Sequence, residues 1–240
     1  MAEVRIGTSG WSYPHWKGAF YPEGLRVKDQ LGWYAGRFST VEINGSFYRL
    51  PTEASVAAWR AAAPEGFLYA WKASRFITHN KRLKDAGDSI DLVFDRMAPL
   101  GDALGPALFQ LTPLLKADLP RLDAFLHQLP KRRRIVIEFR HPSWFADDVF
   151  DLLKARDVAF CVSDHEDAPS PWEATARFAY VRGHGPKGDY TGSYEDAVLD
   201  EWAEQIMAWR DEGRDVYAYF DNDVGAAAPK DAQRLIERIG

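Results

Sequence analysis

The chain has 240 residues, with 30 Lys and Arg against 35 Asp and Glu for a net charge of -5, and 46% hydrophobic and 27% charged residues. This composition excludes disordered, collagen-like and coiled-coil classes, and the acidic balance argues against a duplex-binding surface dominated by positive charge. A single cysteine, Cys161, rules out an internal disulfide framework and a cysteine-rich zinc cluster.

Strand-like runs recur along the chain: VRIGTS at 4 to 9, TVEING at 40 to 45, FLYAWKA at 67 to 73, ALFQLT at 107 to 112, RIVIEFR at 134 to 140, VAFCVSD at 158 to 164, FAYVRG at 178 to 183 and DVYAYFD at 215 to 221. Between them lie segments with helical spacing, such as Leu122, Phe125, Leu126 and Leu129, then Val149, Leu152 and Leu153, then Trp202, Ile206 and Trp209. Eight strand-then-helix units imply parallel strands and right-handed crossovers, so the expected fold is α/β, a TIM-type (β/α)8 barrel formed by one domain over residues 1–240. An open Rossmann-type sheet is set aside because no strand is followed by a glycine-rich phosphate turn. The two widest stretches after strands, 74–88 and the glycine-rich 183–194, are expected to be irregular βα loops, the second a lid or ligand loop. The run KRRR at 131–134 precedes a strand and reads as a solvated turn at the opposite face. No apolar run approaches the ~20 residues that span a bilayer, and the start MAEVRIGTSGW lacks a signal-peptide pattern, so a cytoplasmic location without a membrane partner is expected.

Barrel chemistry gathers at the strand C-termini, where residues two apart share a face. Parity assigns Glu42 and Asn44 to one face of strand two, Lys72 with Leu68 and Ala70 to strand three, and Gln110 with Leu108 to strand four. Strand five contributes Val136, Glu138 and Arg140; strand six Phe160, Val162 and Asp164; strand seven Tyr180, Arg182 and His184; strand eight Val216, Ala218, Phe220 and Asn222. Cys161 then faces the helix layer as packing.

Isolated charges are costly to bury, so these groups must pair with one another or meet a ligand. Glu42 and Glu138 are the expected general acid and base, with burial keeping one protonated while positive neighbours keep the other ionised. Lys72, Arg140 and Arg182 suit a carboxylate or phosphate. Trp11 and Tyr48 offer stacking faces, whereas Trp59, Trp202 and Trp209 read as packing. A metal alternative draws on Glu138, His141, Asp164 and His184, without a compact metal motif. The bland reading is a self-satisfied ring of ion pairs closing the barrel top.

Several phrases coincide in order along the chain: GTSGWSYPHWKGAFYP at 7–22, VEINGSFYRLP at 41–51, KASRFITHNKRL at 72–83, IEFRHPSW at 137–144, YVRGHG at 180–185 and YFDND at 219–223. Together they resemble the YecE-like family, domain of unknown function 72. The resemblance implies a TIM-type barrel and brings no established reaction or cofactor. Its motif positions include Trp11, Glu42, Asn44, Tyr48, Lys72, His79, Glu138, Arg140, His141, Arg182, His184, Tyr219 and Asn222, while Asp221 stands where the family more often has asparagine. From the mouth residues, the expected function is an enzyme using acid/base chemistry on a small anionic or sugar-like ligand, with hydrolase, isomerase and lyase reactions all open. Gln110, Asn44, Tyr219 and Asn222 would orient that ligand, beside His141, Asp164 and His184. The alternative is a non-catalytic module that binds a nucleotide, nucleic-acid fragment or other anion.

Overall fold

The computed structural model describes residues 2–240. Eight parallel strands form one sheet in the order β1-β8-β7-β6-β5-β4-β3-β2. They are β1 (Val4–Thr8), β2 (Thr40–Ile43), β3 (Leu68–Lys72), β4 (Leu104–Gln110), β5 (Ile135–Glu138), β6 (Ala159–Ser163), β7 (Phe178–Gly183) and β8 (Asp215–Phe220). The ends of this order meet. Gly10 N–H donates to Glu42 O at 2.8 Å just beyond β1, and Ser9 pairs with Glu42. A side chain at Gly7 would run into Thr40 O, so the closing seam depends on the bare backbone there.

The helices are α1 (Gln30–Ala35), α2 (Gly45–Tyr48), α3 (Glu53–Ala62), α4 (Gly87–Met97), α5 (Leu119–Leu126), α6 (Asp147–Ala155), α7 (Asp196–Asp211) and α8 (Ala227–Ile239). Local chemistry sets their starts: Thr52 Oγ1 accepts Ser55 N–H at the head of α3, and Asp118 Oδ1 accepts Arg121 N–H at the head of α5. The sixth unit departs from the expected repeat. Among the described residues no helix stands between β6 and β7, where Pro169 and Pro171 interrupt a segment without helical periodicity. Trp172 from this segment packs instead on Trp202 and Trp209 of α7, with ring centroids 5.5 and 5.6 Å away.

Two cores follow from strand alternation. Between sheet and helices lie Ile43, Trp71, Phe109, Ile137, Phe160, Val181 and Phe220, among others. Inside the barrel lie Ala70, Leu108, Val136, Cys161, Tyr180, Tyr217 and Tyr219, among others. Parity therefore holds for β2, β3, β4, β5 and β7 and slips by one on β6 and β8. On β6, Phe160 needs the roomy helix layer, where it meets Phe139, Phe145 and Phe150, and small Cys161 turns inward. On β8 the tyrosines turn inward because their hydroxyls find polar partners there: Tyr217 receives Arg134, and Tyr219 bonds Thr40 Oγ1 at 2.7 Å. Val216, Ala218 and Phe220 face the helices.

Candidate functional site

Arg182 sits at the centre of the C-terminal mouth, fully buried, with its planar guanidinium ringed by acceptors. Its Nε donates to both Glu42 oxygens at 3.2 Å, and one terminal nitrogen donates to Glu42 Oε1 at 2.9 Å, Asp221 Oδ2 at 2.8 Å and Ser9 Oγ at 3.3 Å. The other donates to Glu138 Oε2 at 3.1 Å and His184 Nε2 at 2.9 Å. Arg182 is thus surrounded by acceptors at all three nitrogens. An unpaired ion here would cost several kcal/mol, about what its three carboxylates offset.

The carboxylates are correspondingly occupied. Glu42, fully enclosed, also accepts from Ser9 Oγ and Tyr180 Oη, both at 2.6 Å. Burial on its own raises the Glu138 carboxyl, but Arg140, Arg182 and Lys72 outweigh it and hold it at about 2. Its Oε1 faces the Arg140 guanidinium as an ion pair without a well-aligned hydrogen bond. Glu138 is thus ionised across the physiological range. The two carboxylates expected to act as acid and base are both anchored, Glu42 by Arg182 and Glu138 by Arg140 and Arg182.

His184 connects this centre to the rim. Its Nε2 accepts from Arg140 at 3.1 Å and from Arg182, which assigns the proton to Nδ1, 3.2 Å from Asp164 Oδ1. Burial, then the two arginines, push its pKa well below the ordinary histidine value, so the ring is neutral. Asp164 also accepts the His184 backbone N–H at 2.7 Å and the Tyr194 hydroxyl, and burial pushes its carboxyl up to about 6. Tyr190, from the glycine-rich 183–194 loop, lays its ring 5.2 Å from His184 and 5.5 Å from His165, and Asn222 Nδ2 donates to Gly192 O at 2.7 Å. That loop is therefore folded onto the mouth.

Two cations keep donors in reserve. Arg140, 3% exposed, bonds Gln110 Oε1 at 3.4 Å and His184, yet its buried Nε has no partner. Lys72, 6% exposed at the end of β3, has no carboxylate oxygen of the described residues within 4.0 Å of Nζ, which lies 4.1 Å from the centre of the Phe47 ring. Burial, then Arg182, lower its amine to about 8 against the opposing pull of Glu138, Asp221 and Glu42. His79, whose ring meets the same Phe47 at 5.1 Å, is also shifted down by burial and by Lys72.

The remaining expected residues divide. Trp11, Asn44, Tyr48 and Trp59 line an open cavity of about 360 Å³ beside the mouth; Asn44 Oδ1 is buried without a partner. His141 instead braces its own turn, with Nδ1 accepting Ser143 N–H at 3.1 Å, while Trp144 is wholly buried and donates to Leu115 O at 2.7 Å. Tyr219 lies in the barrel interior, bonded to Thr40 of β2. Asn222 Nδ2 is held under α8 by Asp231 Oδ2 at 2.8 Å, while its buried Oδ1 has no partner among the described residues. The four alternative metal ligands do not converge: among the described residues no three His, Cys, Asp or Glu side chains form a metal-holding group, and both arginines occupy His184 Nε2. Sequence reasoning passed over Ser9 and His165, and noted Asp221 only as a departure from the family's asparagine. Only the polar residues just past β1, β6 and β8 signalled them. A larger cavity, about 470 Å³, lies at the opposite end beside Arg132, Arg133 and Arg134, where Arg134 pairs with Asp215 and none of these mouth groups is present.

A family model described as "Protein of unknown function DUF72" matches residues 5–240. The chain is similar to the UPF0759 protein YecE of Escherichia coli, 31% identical over 144 residues, 60% of this chain and 50% of that protein. It thus spans about half the length of this curated relative. To the UPF0759 protein YunF of Bacillus subtilis it is 25% identical over 270 residues, 98% of this chain and 94% of that one. The crystal structure of a DUF72 family protein from Thermotoga maritima superposes with a TM-score of 0.88 at 25% identity, covering 98% of each chain. No helix among the described residues is long and apolar enough to cross a membrane.

Proposed function

The chain belongs to the DUF72 family, and we propose that it is an enzyme whose C-terminal mouth binds a small anionic or sugar-like substrate and moves a proton on it. The observation that carries this reading is the pair of buried cations at the C-terminal ends of β3 and β5, Lys72 without a carboxylate partner and Arg140 with an unpaired Nε. Such donors suit a carboxylate or phosphate entering the mouth. Glu42 and Glu138 form the fixed negative frame that holds Arg182 and sets the field, while proton transfer falls to groups that titrate near neutrality, Asp164 at about 6 and Lys72 at about 8. Gln110 and His184 hold Arg140 in position. Hydrolase, isomerase and lyase chemistry all use these parts.

A second reading, a binding module for a nucleotide or other ring-bearing anion, rests on the aromatic cavity of Trp11, Tyr48 and Trp59 next to those cations. Thermal unfolding against sugar phosphates, nucleotides and small carboxylates tests both. A ligand at a hundred times its Kd adds about 2.7 kcal/mol, or roughly 5–11 °C in Tm for a chain of this size, and Arg140→Gln is expected to abolish the rise. No rise with any anion, or a rise unchanged by Arg140→Gln, refutes the site. Turnover that disappears in Asp164→Asn supports the enzyme; binding without turnover supports the module.

A further inference from the structure

We propose that Lys72 is a covalent catalyst, an amine that condenses with the aldehyde or ketone carbon of a substrate to form an imine. This deepens the reading of the mouth as an anion-binding enzyme site and rests on it.

The geometry supplies the first reason. A buried lysine ordinarily has a carboxylate partner because its charge is costly to isolate. Around Lys72 the candidates are already engaged: Glu42 on β2 by Ser9, Tyr180 and Arg182, Glu138 on β5 by Arg140 and Arg182, and Asp221 beyond β8 by Arg182. The ring of Phe47 is its close neighbour. Lys72 also occupies the strand end from which a barrel presents reacting groups, with Leu68 and Ala70 in phase beneath it in the interior core.

Protonation supplies the second. With an amine at about 8, roughly a tenth of Lys72 is neutral and nucleophilic at pH 7, compared with well under a thousandth for an ordinary lysine. The groups that set this value face it from several elements: Arg182 on β7 lowers it after burial itself, and Glu138, Asp221 and Glu42 raise it. His79, on the turn following β3, is another titratable neighbour.

The step balances without any redox partner. Neutral Nζ attacks the carbonyl carbon, a C–N bond forms, and the carbonyl oxygen takes up a proton. Loss of that hydroxyl with a proton from nitrogen releases water and leaves the C=N bond. The protonated imine draws electrons from the neighbouring carbon and so assists either proton removal or carbon–carbon cleavage there, and Arg140 would hold a carboxylate or phosphate carried by the same molecule. The substrate class is therefore an anionic aldehyde or ketone, and the reaction an isomerisation or lyase cleavage.

The test uses two readouts on the full chain. Acetylacetone, a small 1,3-diketone that condenses with neutral amines, is applied to wild type and to Lys72→Arg, with peptide mapping to locate the adduct. Sodium borohydride is added in parallel to mixtures with pyruvate, glycolaldehyde phosphate and dihydroxyacetone phosphate, and the trapped mass is mapped. Expected are labelling at Lys72 at least about tenfold faster than at any other lysine, a rate profile with its midpoint near pH 8, a borohydride adduct on Lys72 with at least one anionic carbonyl probe, and loss of both in Lys72→Arg. Labelling of Lys72 no faster than the exposed lysines, or no borohydride adduct at Lys72, overturns the covalent role. If an anion still raises Tm through Arg140 in that case, the site reading stands alone; if it does not, both readings fall.

Discussion

Replacing Arg182 by Met removes one buried cation from three carboxylates, leaving Glu42 and Asp221 without their arginine and Glu138 with Arg140 alone as an ion-pair partner. Glu42 and Glu138 are fully buried, and the Asp221 side chain is 7% exposed, so none can turn to water without opening the mouth. Removing one partner of such a group costs about 3–5 kcal/mol, which at roughly 2–4 °C per kcal/mol for a chain of this size lowers Tm by roughly 6–20 °C. The pH dependence carries a sharper signature. In wild type the Glu138 carboxyl falls from 4.5 to about 2, so it stabilises the folded state above pH 4.5 and this contribution is lost as pH falls towards 2. Its full size is about 3 kcal/mol. With Arg182 gone, Glu138 keeps only Arg140 and Lys72, its pKa rises, and much of that contribution is already absent at pH 7. The gap between variant and wild type should therefore narrow as pH falls below 4.5. Urea unfolding followed by circular dichroism at pH 7 and pH 3 measures it, with Arg182→Lys as a charge-retaining companion expected to fall between the two. A Met variant within 1 kcal/mol of wild type at pH 7, or a gap that does not change with pH, would refute the claim that this cluster is a single interdependent unit.

Lys72→Met should stabilise the protein at pH 7. The amine's fall from 10.5 to about 8 means that the folded state resists its charge, a cost of up to about 3 kcal/mol that is full below pH 8 and relieved between pH 8 and 10.5. The gain in urea midpoint is therefore expected to shrink towards pH 10; a destabilised variant at pH 7 would contradict it. Gly7→Ala should weaken the barrel seam by about 1–3 kcal/mol, because the added methyl meets the unyielding Thr40 carbonyl, and unaltered unfolding would show that the seam has slack.

The strands were legible because each is a short apolar run between turn residues, and the barrel followed from their number. Face assignment succeeded where a charge and a small or aliphatic residue alternate, as in Ala70 and Lys72 or Val136 and Glu138. It failed on β6 and β8, where both faces are apolar enough for either answer; only the sizes of Phe160 and Cys161, and the hydroxyl partners of Tyr217 and Tyr219, decide it. The missing helix before β7 was partly visible in Pro169 and Pro171, but not the use of Trp172 in its place. At the site, residue types were readable and partnerships were not. Glu42 and Arg182 are 140 positions apart, and nothing in either local stretch says that the arginine would engage the carboxylate expected to do chemistry. Nor does the stretch around His141 show that its Nδ1 braces Ser143 two residues on.

The protonation of Asp164 bears on how a ligand arrives. Three cations, Arg182, Arg140 and Lys72, stand against Glu42, Glu138 and Asp221, so with all six ionised the mouth is close to neutral, and Asp164 tips the local sign to negative above about pH 6. Such a mouth exerts little long-range pull on an incoming anion. On the anion-binding reading proposed above, recognition would occur at contact distance, through the direction of the unspent Nε–H of Arg140. Selectivity in this barrel would then come from the shape and carbonyl chemistry of the guest, with its net charge playing a minor part.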